Sequence, residues 1–261
     1  MKVSVRAVSG YYLQDLRIPE ELGRYLRRAD TFIQLAVVAA FQTFLAVDEG
    51  FQDTHGDCGL ILGTTFGTME TNFEVLDQIV AGQQASPILF SHSVFNAAVG
   101  YMATIFKIRG CALTVTDFSF PFFRALQEAS LALQSGTIAR CLVLQVETYS
   151  TLLQDARKTH NVDKNPWIPG AVCWLLEAET ESKNSNFYLD RLEIDACVSD
   201  PLDFLRYDER VDINGITENT HSPMEAAMIV GGEIGRENHP SSLDCRVEGV
   251  NGRVGIQLVK E

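Results

Sequence analysis

The sequence predicts a mixed α/β fold in which a sheet is covered by helices on both faces. Three observations carry that expectation. The runs at 58–63, 139–146 and 171–177 are apolar almost without interruption, as strands buried on both faces are. Segments with helical spacing alternate with them, at 26–47, 69–80 and 122–134. The chain has 261 residues, 46% hydrophobic and 21% charged, which allows a sizeable core in one domain or in two closely fused halves.

Each element has a local signal. Residues 1–7 alternate as a strand does. Phe32, Leu35, Ala36, Ala39 and Leu45 share a face of one long helix over 26–47. The helix over 69–80 is stopped by Ala81-Gly82, and the helix over 122–134 by Gly136. A strand over 113–118 runs straight into that second helix. Residues 158–167 are polar and read as a loop, and 179–186 form a second polar break, the best internal boundary. Beyond it, 187–198 is strand-like, and the stretch to Asn219 gives no clear signal. Ser222-Pro-Met-Glu225 offers a cap, a proline in the first turn and a reciprocal glutamate, which predicts a helix start. The final segment, 246–259, reads as a hairpin turning at Asn251-Gly252.

Bulk properties exclude several classes of function. A formal charge of −13 argues against nucleic acid, which needs a basic face. No apolar run is long enough to cross a bilayer, and the first residues lack the apolar core of a secretory signal, so cytoplasmic residence is expected. The six cysteines form no Cys-x-x-Cys pair and lie mostly in apolar strand-like runs, as buried free thiols do. The five histidines show no metal-ligand spacing, so neither a metal nor another cofactor is expected.

The most informative stretch is 110–136, GCALTVTDFSFPFFRALQEASLALQSG, where a strand meets a helix across a sharp turn. A helix N-terminus carries orphan N–H groups and the positive end of the dipole, and so favours an anion. Together with RADTFIQLAVVAA at 28–40, GLILGTTFG at 59–67, SVFNAAVG at 93–100 and IPGAVCWLLE at 168–177, this stretch resembles the β-ketoacyl synthases. These are the decarboxylating condensing enzymes of fatty-acid and polyketide assembly. The likeness covers most of the chain in consistent order and runs without a gap from Asn96 to Gly136.

That resemblance implies a thiolase-like layered αβαβα fold with a truncated C-terminal half. It implies a single domain over 1–261, with the N-terminal half at 1–180 and a shortened C-terminal half at 181–261. It places Ser119 where the family carries its cysteine nucleophile, and His221 where one active-site histidine would stand. The lysine expected shortly before that histidine is replaced by Ile216, and the Gly-Thr-Gly-Thr segment that follows another histidine is missing. A serine hydroxyl ionises far less readily than a thiol and needs an adjacent base. No histidine is close to Ser119 in sequence.

The family likeness further implies a gate at the mouth of an acyl channel. Phe66, Phe118 and Phe120 are the candidates for that gate and channel, with packing in the core as the milder reading. Residues 86–100 resemble the stretch that packs across the dimer axis, which points to Leu89, Phe90, Ser93, Phe95, Asn96 and Gly100 as interface. For Ser119 a plugged, vestigial elbow is the reading preferred to acyl acceptance. For His221 the preferred reading is a polar residue before a helix cap.

A subunit of this family without its nucleophile resembles a chain-length factor of the bacterial aryl-polyene type, paired with a full-length ketosynthase. Acyl carrier proteins are acidic as a class, so an acidic chain implies that the carrier docks mainly on the partner. The rival reading is an independent acyltransferase or malonyl decarboxylase that uses Ser119. A third is a homodimeric scaffold with no role in elongation.

Overall fold

The computed structural model describes residues 2–47, 57–160, 167–179, 187–196, 209–220, 222, 224–236 and 240–260. Strand β1 (Lys2–Tyr12) opens the chain, followed by helices α1 (Glu20–Leu26) and α2 (Thr31–Leu45). The helix expected over 26–47 is α2, starting five residues later than expected, and α1, ending at Leu26, precedes it. Helix α2 begins where the Asp30 side chain accepts a hydrogen bond from the Ile33 N–H at 2.9 Å, an N-cap at the end of the charged stretch 27–30. Next come β2 (Cys58–Thr64), α3 (Met69–Val80), α4 (Pro87–His92), α5 (Ala97–Ile105), β3 (Ala112–Thr116), α6 (Pro121–Gln134) and β4 (Arg140–Glu147). The expected loop over 158–167 is shortened at its start, because α7 (Thr151–Thr159) extends into it, capped by Ser150. Strand β5 (Gly170–Glu179) ends the first half.

The second half holds β6 (Phe187–Ala196), β7 (Glu209–Ile213), β8 (Ile216–Thr220), α8 (Glu225–Ile234), β9 (Ser242–Gly249) and β10 (Gly252–Lys260). The β7–β8 hairpin turns at Asn214-Gly215, both with positive φ, as a tight turn of this kind requires. The last hairpin turns at Val250-Asn251, one residue earlier than its sequence signal, and Gly252 already pairs with Gly249. The expected capping box before α8 is not formed. Ser222 is buried with its hydroxyl unbonded, and α8 starts at Glu225 with no side-chain cap.

All ten strands join one sheet in the order β3-β2-β4-β5-β1-β6-β10-β9-β7-β8, so β3 is an edge. Strand β2 pairs in parallel with β3 and β4, and the remaining pairs are antiparallel. The two halves meet at a narrow seam, Ser4 opposite Tyr188 and Val5 opposite Phe187. The buried Glu179 carboxylate stitches that seam, accepting from the Ser4 hydroxyl at 2.7 Å and the Tyr188 hydroxyl at 2.9 Å.

The layering follows from which side chains are buried together. Helices α2 and α5 cover one face of the first-half strands, through Leu35, Ala39, Met102, Leu60, Leu142 and Cys173. Helices α6 and α8 lie on the opposite face, and their side chains share one core with both halves of the sheet. Trp174, on β5, packs against Phe122 of α6 at 4.9 Å and lies against Gly231 of α8. The outer face of the second half carries Arg191, Glu193, Asp195, Asp244, Arg246, Glu248 and Arg253 around a hollow of about 530 Å³. No helix covers that face among the described residues. The helices on one face, the two halves of the sheet and the helices between them follow the thiolase-like order, and among the described residues no helix forms a further layer beyond the second half. Cys58, Cys141, Cys173 and Cys245 are buried free thiols, Cys111 is a half-buried one, and Cys197 lies outside the described residues.

Candidate functional site

The elbow between β3 and α6 is built by close backbone approach. Strand β3 stays in register with β2 up to Thr64 opposite Thr116, and the Asp117 N–H adds one more bond to the Thr64 carbonyl at 3.2 Å. Helix α6 then begins at Pro121, which lacks the N–H that a first helical residue would leave unpaired. Gly63 makes this possible: a Cβ there would collide with the Pro121 carbonyl. Phe122 and Phe123 drop into the core and fix the helix on the sheet.

Ser119 sits in the turn and is 3% exposed. Its N–H and that of Phe120 both donate to the same oxygen, Oδ1 of Asp117, at 2.7 Å each. The other carboxylate oxygen faces the Arg124 Nε at 3.5 Å. The two amides just ahead of the helix are thus held by an acid from the same turn. His221 lies outside the described residues. Cys141, Cys173 and Cys245 offer no substitute nucleophile, since burial pushes their thiols up, the last two to about 12.

The three phenylalanines expected at a gate or channel are not brought together. Phe120 is enclosed in the core beneath α6, which gives it packing in place of a tunnel wall. Phe118 points outward and is 53% exposed. Phe66 is 1% exposed, in an aromatic cluster with Tyr149 and Trp167 at ring separations of 5.9 and 5.3 Å. The Arg157 guanidinium lies over the far side of this cluster, 4.0 Å from the Trp167 ring centre.

The turn that carries Phe66 is held by one buried carboxylate. Glu147 accepts from the Thr65 N–H at 2.7 Å, the Gln145 amide at 3.1 Å, the Thr64 hydroxyl at 3.2 Å and the Phe66 N–H at 3.3 Å. Complete burial pushes its pKa up to about 7, and the four donors hold it from rising further.

Residues 86–100 fold as α4 and the start of α5. Phe90 is 62% exposed, Val94, Phe95 and Asn96 are exposed, and Leu89 and Ser93 are half-buried. Asn96 precedes α5 without a side-chain cap bond, and a Cβ on Gly100 would meet open space within this chain. The segment does reach the elbow. The Thr114 hydroxyl on β3 bonds the Phe95 carbonyl at 3.3 Å, the Thr68 hydroxyl bonds the Ser93 carbonyl at 2.7 Å, and the Phe95 ring covers Gly67. Phe90, Val94, Phe95 and Leu113 therefore form an exposed apolar patch beside the unpaired β3 edge.

Asp117 and Glu147 were not among the sequence candidates. Asp117 had a readable signal, an acid two residues ahead in a turn before a helix, the setting in which Asp bonds forward to backbone. Glu147 had none, since a carboxylate at the end of an apolar strand reads as exposed.

Three comparisons bear on this arrangement. Residues 27–193 match the sequence model described as the β-ketoacyl synthase N-terminal domain, well over half of the chain. A search of curated proteins finds no match. Among solved structures, the fold is similar to the ishigamide ketosynthase/chain length factor, with a TM-score of 0.66 and 18% identity over 77% of this chain and 69% of that one. It is also similar to the complex of the ketosynthase ApeO with its chain length factor ApeC from Xenorhabdus doucetiae, at a TM-score of 0.60 and 17% identity, with both chains fully covered. A β-ketoacyl synthase from Burkholderia phymatum STM815 matches at a TM-score of 0.62 and 11% identity, over 75% of this chain and 64% of that one.

Proposed function

The chain belongs to the β-ketoacyl synthase family, and from that premise we propose that it is a non-catalytic chain-length-factor subunit. In this reading it pairs with a full-length ketosynthase, completes that partner's acyl pocket and sets how long a polyene or related chain grows. One observation carries it. Ser119, which the sequence resemblance puts at the family's nucleophile position, is buried and has no thiol, and the N–H groups of residues 119 and 120 are held by Asp117. A site without a thiolate, and with its amide donors occupied, is poorly suited to accept an acyl group.

The exposed patch of Phe90, Val94, Phe95 and Leu113 beside the β3 edge supports pairing. An unpaired strand edge flanked by large apolar side chains is a surface that seeks a partner. Leu89, Phe90, Ser93, Phe95, Asn96 and Gly100 are then interface. Phe118, beside this surface, reaches toward the shared pocket, and Phe66 closes its inner end. The carrier protein docks mainly on the partner, and the pair works in the cytoplasm. Residues 1–180 and 181–261 act as one thiolase-like unit.

The test is co-expression with a ketosynthase encoded beside this chain. The two are expected to co-purify, and Phe90→Asp to separate them. Phe66→Ala is expected to change the distribution of product lengths, whereas Ser119→Ala leaves turnover by the pair intact. Release of carbon dioxide from malonyl-carrier by this chain alone, lost in Ser119→Ala, would replace this reading with the serine-dependent one.

A further inference from the structure

We propose that Glu147 is a length-setting residue: as a neutral acid it donates a proton to Thr64 and locks the turn that seats Phe66, and its ionisation loosens that turn. The effect on length presupposes that Phe66 closes the inner end of the shared pocket, as proposed above; the place of the proton does not. A count at one hydroxyl places that proton. A threonine hydroxyl has one proton to give and two lone pairs to receive. Three partners surround the Thr64 oxygen. The Val146 carbonyl, at 2.9 Å, can only accept, and the Gly67 N–H, at 2.8 Å, can only donate. The third is Glu147 Oε2, at 3.2 Å. With Glu147 ionised, two acceptors compete for the single Thr64 proton, and one contact is left without a hydrogen. With a proton on Oε2 all three are satisfied, since Glu147 donates to Thr64 and Thr64 donates to Val146. Both Thr64 and Glu147 are 0% exposed, so bulk water does not make good the deficit.

The turn depends on these ties. Residues 64–67 are fastened to the end of β4 and the residue after it by the Thr64 bond to Val146, by the Glu147 carboxyl, and by the Thr148 hydroxyl, which donates to the Gly67 carbonyl at 3.4 Å. When Glu147 ionises, the Thr64 proton turns to the carboxylate and the tie to Val146 is lost. Phe66 sits between the two ends of that turn. Burial favours the neutral acid, with the change centred at about 7, so the lock is closed below that pH and loosened above it. The titratable groups around Glu147 are few. Tyr149, just past β4, is buried; burial first and the Glu147 charge second push it well up, so it keeps its proton. Arg157 of α7 and Glu225 of α8 act on Tyr149 with opposite signs. Asp117, joined to Arg124 of α6 at 3.5 Å, meets the turn through the Thr64 carbonyl, and β5 sets Gly170 opposite Glu147. Among the described residues no cation pairs with Glu147 to hold it ionised.

The experiment reads the proton and the product separately, on this chain paired with its ketosynthase. Infrared difference spectra of wild type against Glu147→Gln are recorded to about two units on either side of neutral pH. One protonated-carboxyl C=O band is expected, fading with a midpoint near 7. Thr64→Val removes the acceptor of that proton and is expected to lower the midpoint by about one unit, while Thr64→Ser restores it. Absence of the band, or a midpoint that Thr64→Val leaves in place, overturns the proposal. Products are then compared at the two pH extremes. Wild type is expected to shift toward longer products on the alkaline side. Glu147→Gln stays neutral and can still donate to Thr64, so its distribution is expected to hold. A wild-type distribution that moves no more than that of Glu147→Gln overturns the length-setting role. Phe66→Ala, run alongside, separates the causes: lengths that change in it but not with pH refute the Glu147 lock alone, and lengths that change with neither refute the pocket reading as well.

Discussion

The two halves of the sheet share a fold but not a solvent boundary. In the first half, β2 and β4 are buried along nearly their whole length, because α2 and α5 cover one face and α6 the other. In the second half, β9 alternates strictly between buried and exposed positions, because only its inner face meets α8 and α6. The difference teaches that the period of the apolar pattern counts layers: unbroken runs mean cover on both sides, and alternation means one wet face. The truncated half has not left an apolar face bare. Its outer surface is laid out in opposite charges, Arg253 beside Asp195 at 3.2 Å and Arg191 beside Glu193 at 2.6 Å. Among the described residues that face is polar, as a water-facing surface is.

This contrast can be broken first at its most buried point. Trp174→Ala opens a cavity between β5, α6 and α8 and is expected to cost about 3–5 kcal/mol, read by chemical denaturation. A cost below 1 kcal/mol would mean that the central layer is not packed as described. The next largest effect is electrostatic. Glu147 is a buried carboxylate whose folded pKa, about 7, stands above its ordinary value of 4.5. The folded state therefore holds the proton more tightly, and this group's contribution to stability falls as pH rises from about 4.5 to about 7. The linked change is roughly 3 kcal/mol. Unfolding free energies of wild type and Glu147→Gln, compared across that window, should diverge by this amount, and parallel curves would refute the assignment. The smallest effect belongs to the outer face of the second half. Arg246→Ala removes an exposed charge 4.0 Å from Asp244 and is expected to change stability by less than about 0.5 kcal/mol. A large loss there would show that the face is covered after all.

Much of this was legible before any coordinates. The apolar runs located β2, β4 and β5, and the helix over 69–80 was bounded correctly because one amphipathic stripe ends at a glycine with positive φ. Helix α1 escaped notice because it is a short, largely polar turn ahead of the apolar run, and the charged stretch 27–30 that separates it from α2 was read as part of the longer helix. The β7–β8 hairpin carried its Asn-Gly signal in plain view, yet its strands are short and polar and gave no periodicity to flank it. The cap at Ser222 failed for the opposite reason: the local pattern was ideal, and burial of that serine overrode it. At the elbow, the family register picks out Ser119, and the hook of Asp117 onto its own turn carries the local signal of an acid just ahead of a helix. The seat of Phe66 depends on Glu147, far away in sequence and adjacent only through the parallel pairing of β2 with β4.

The open rim of β3 has a consequence for how such a protein is made. Among the described residues no strand pairs with its outer side, and exposed phenyl rings lie beside it, a template on which a second copy can dock. Under the pairing proposed above, copies left without a partner are expected to self-associate.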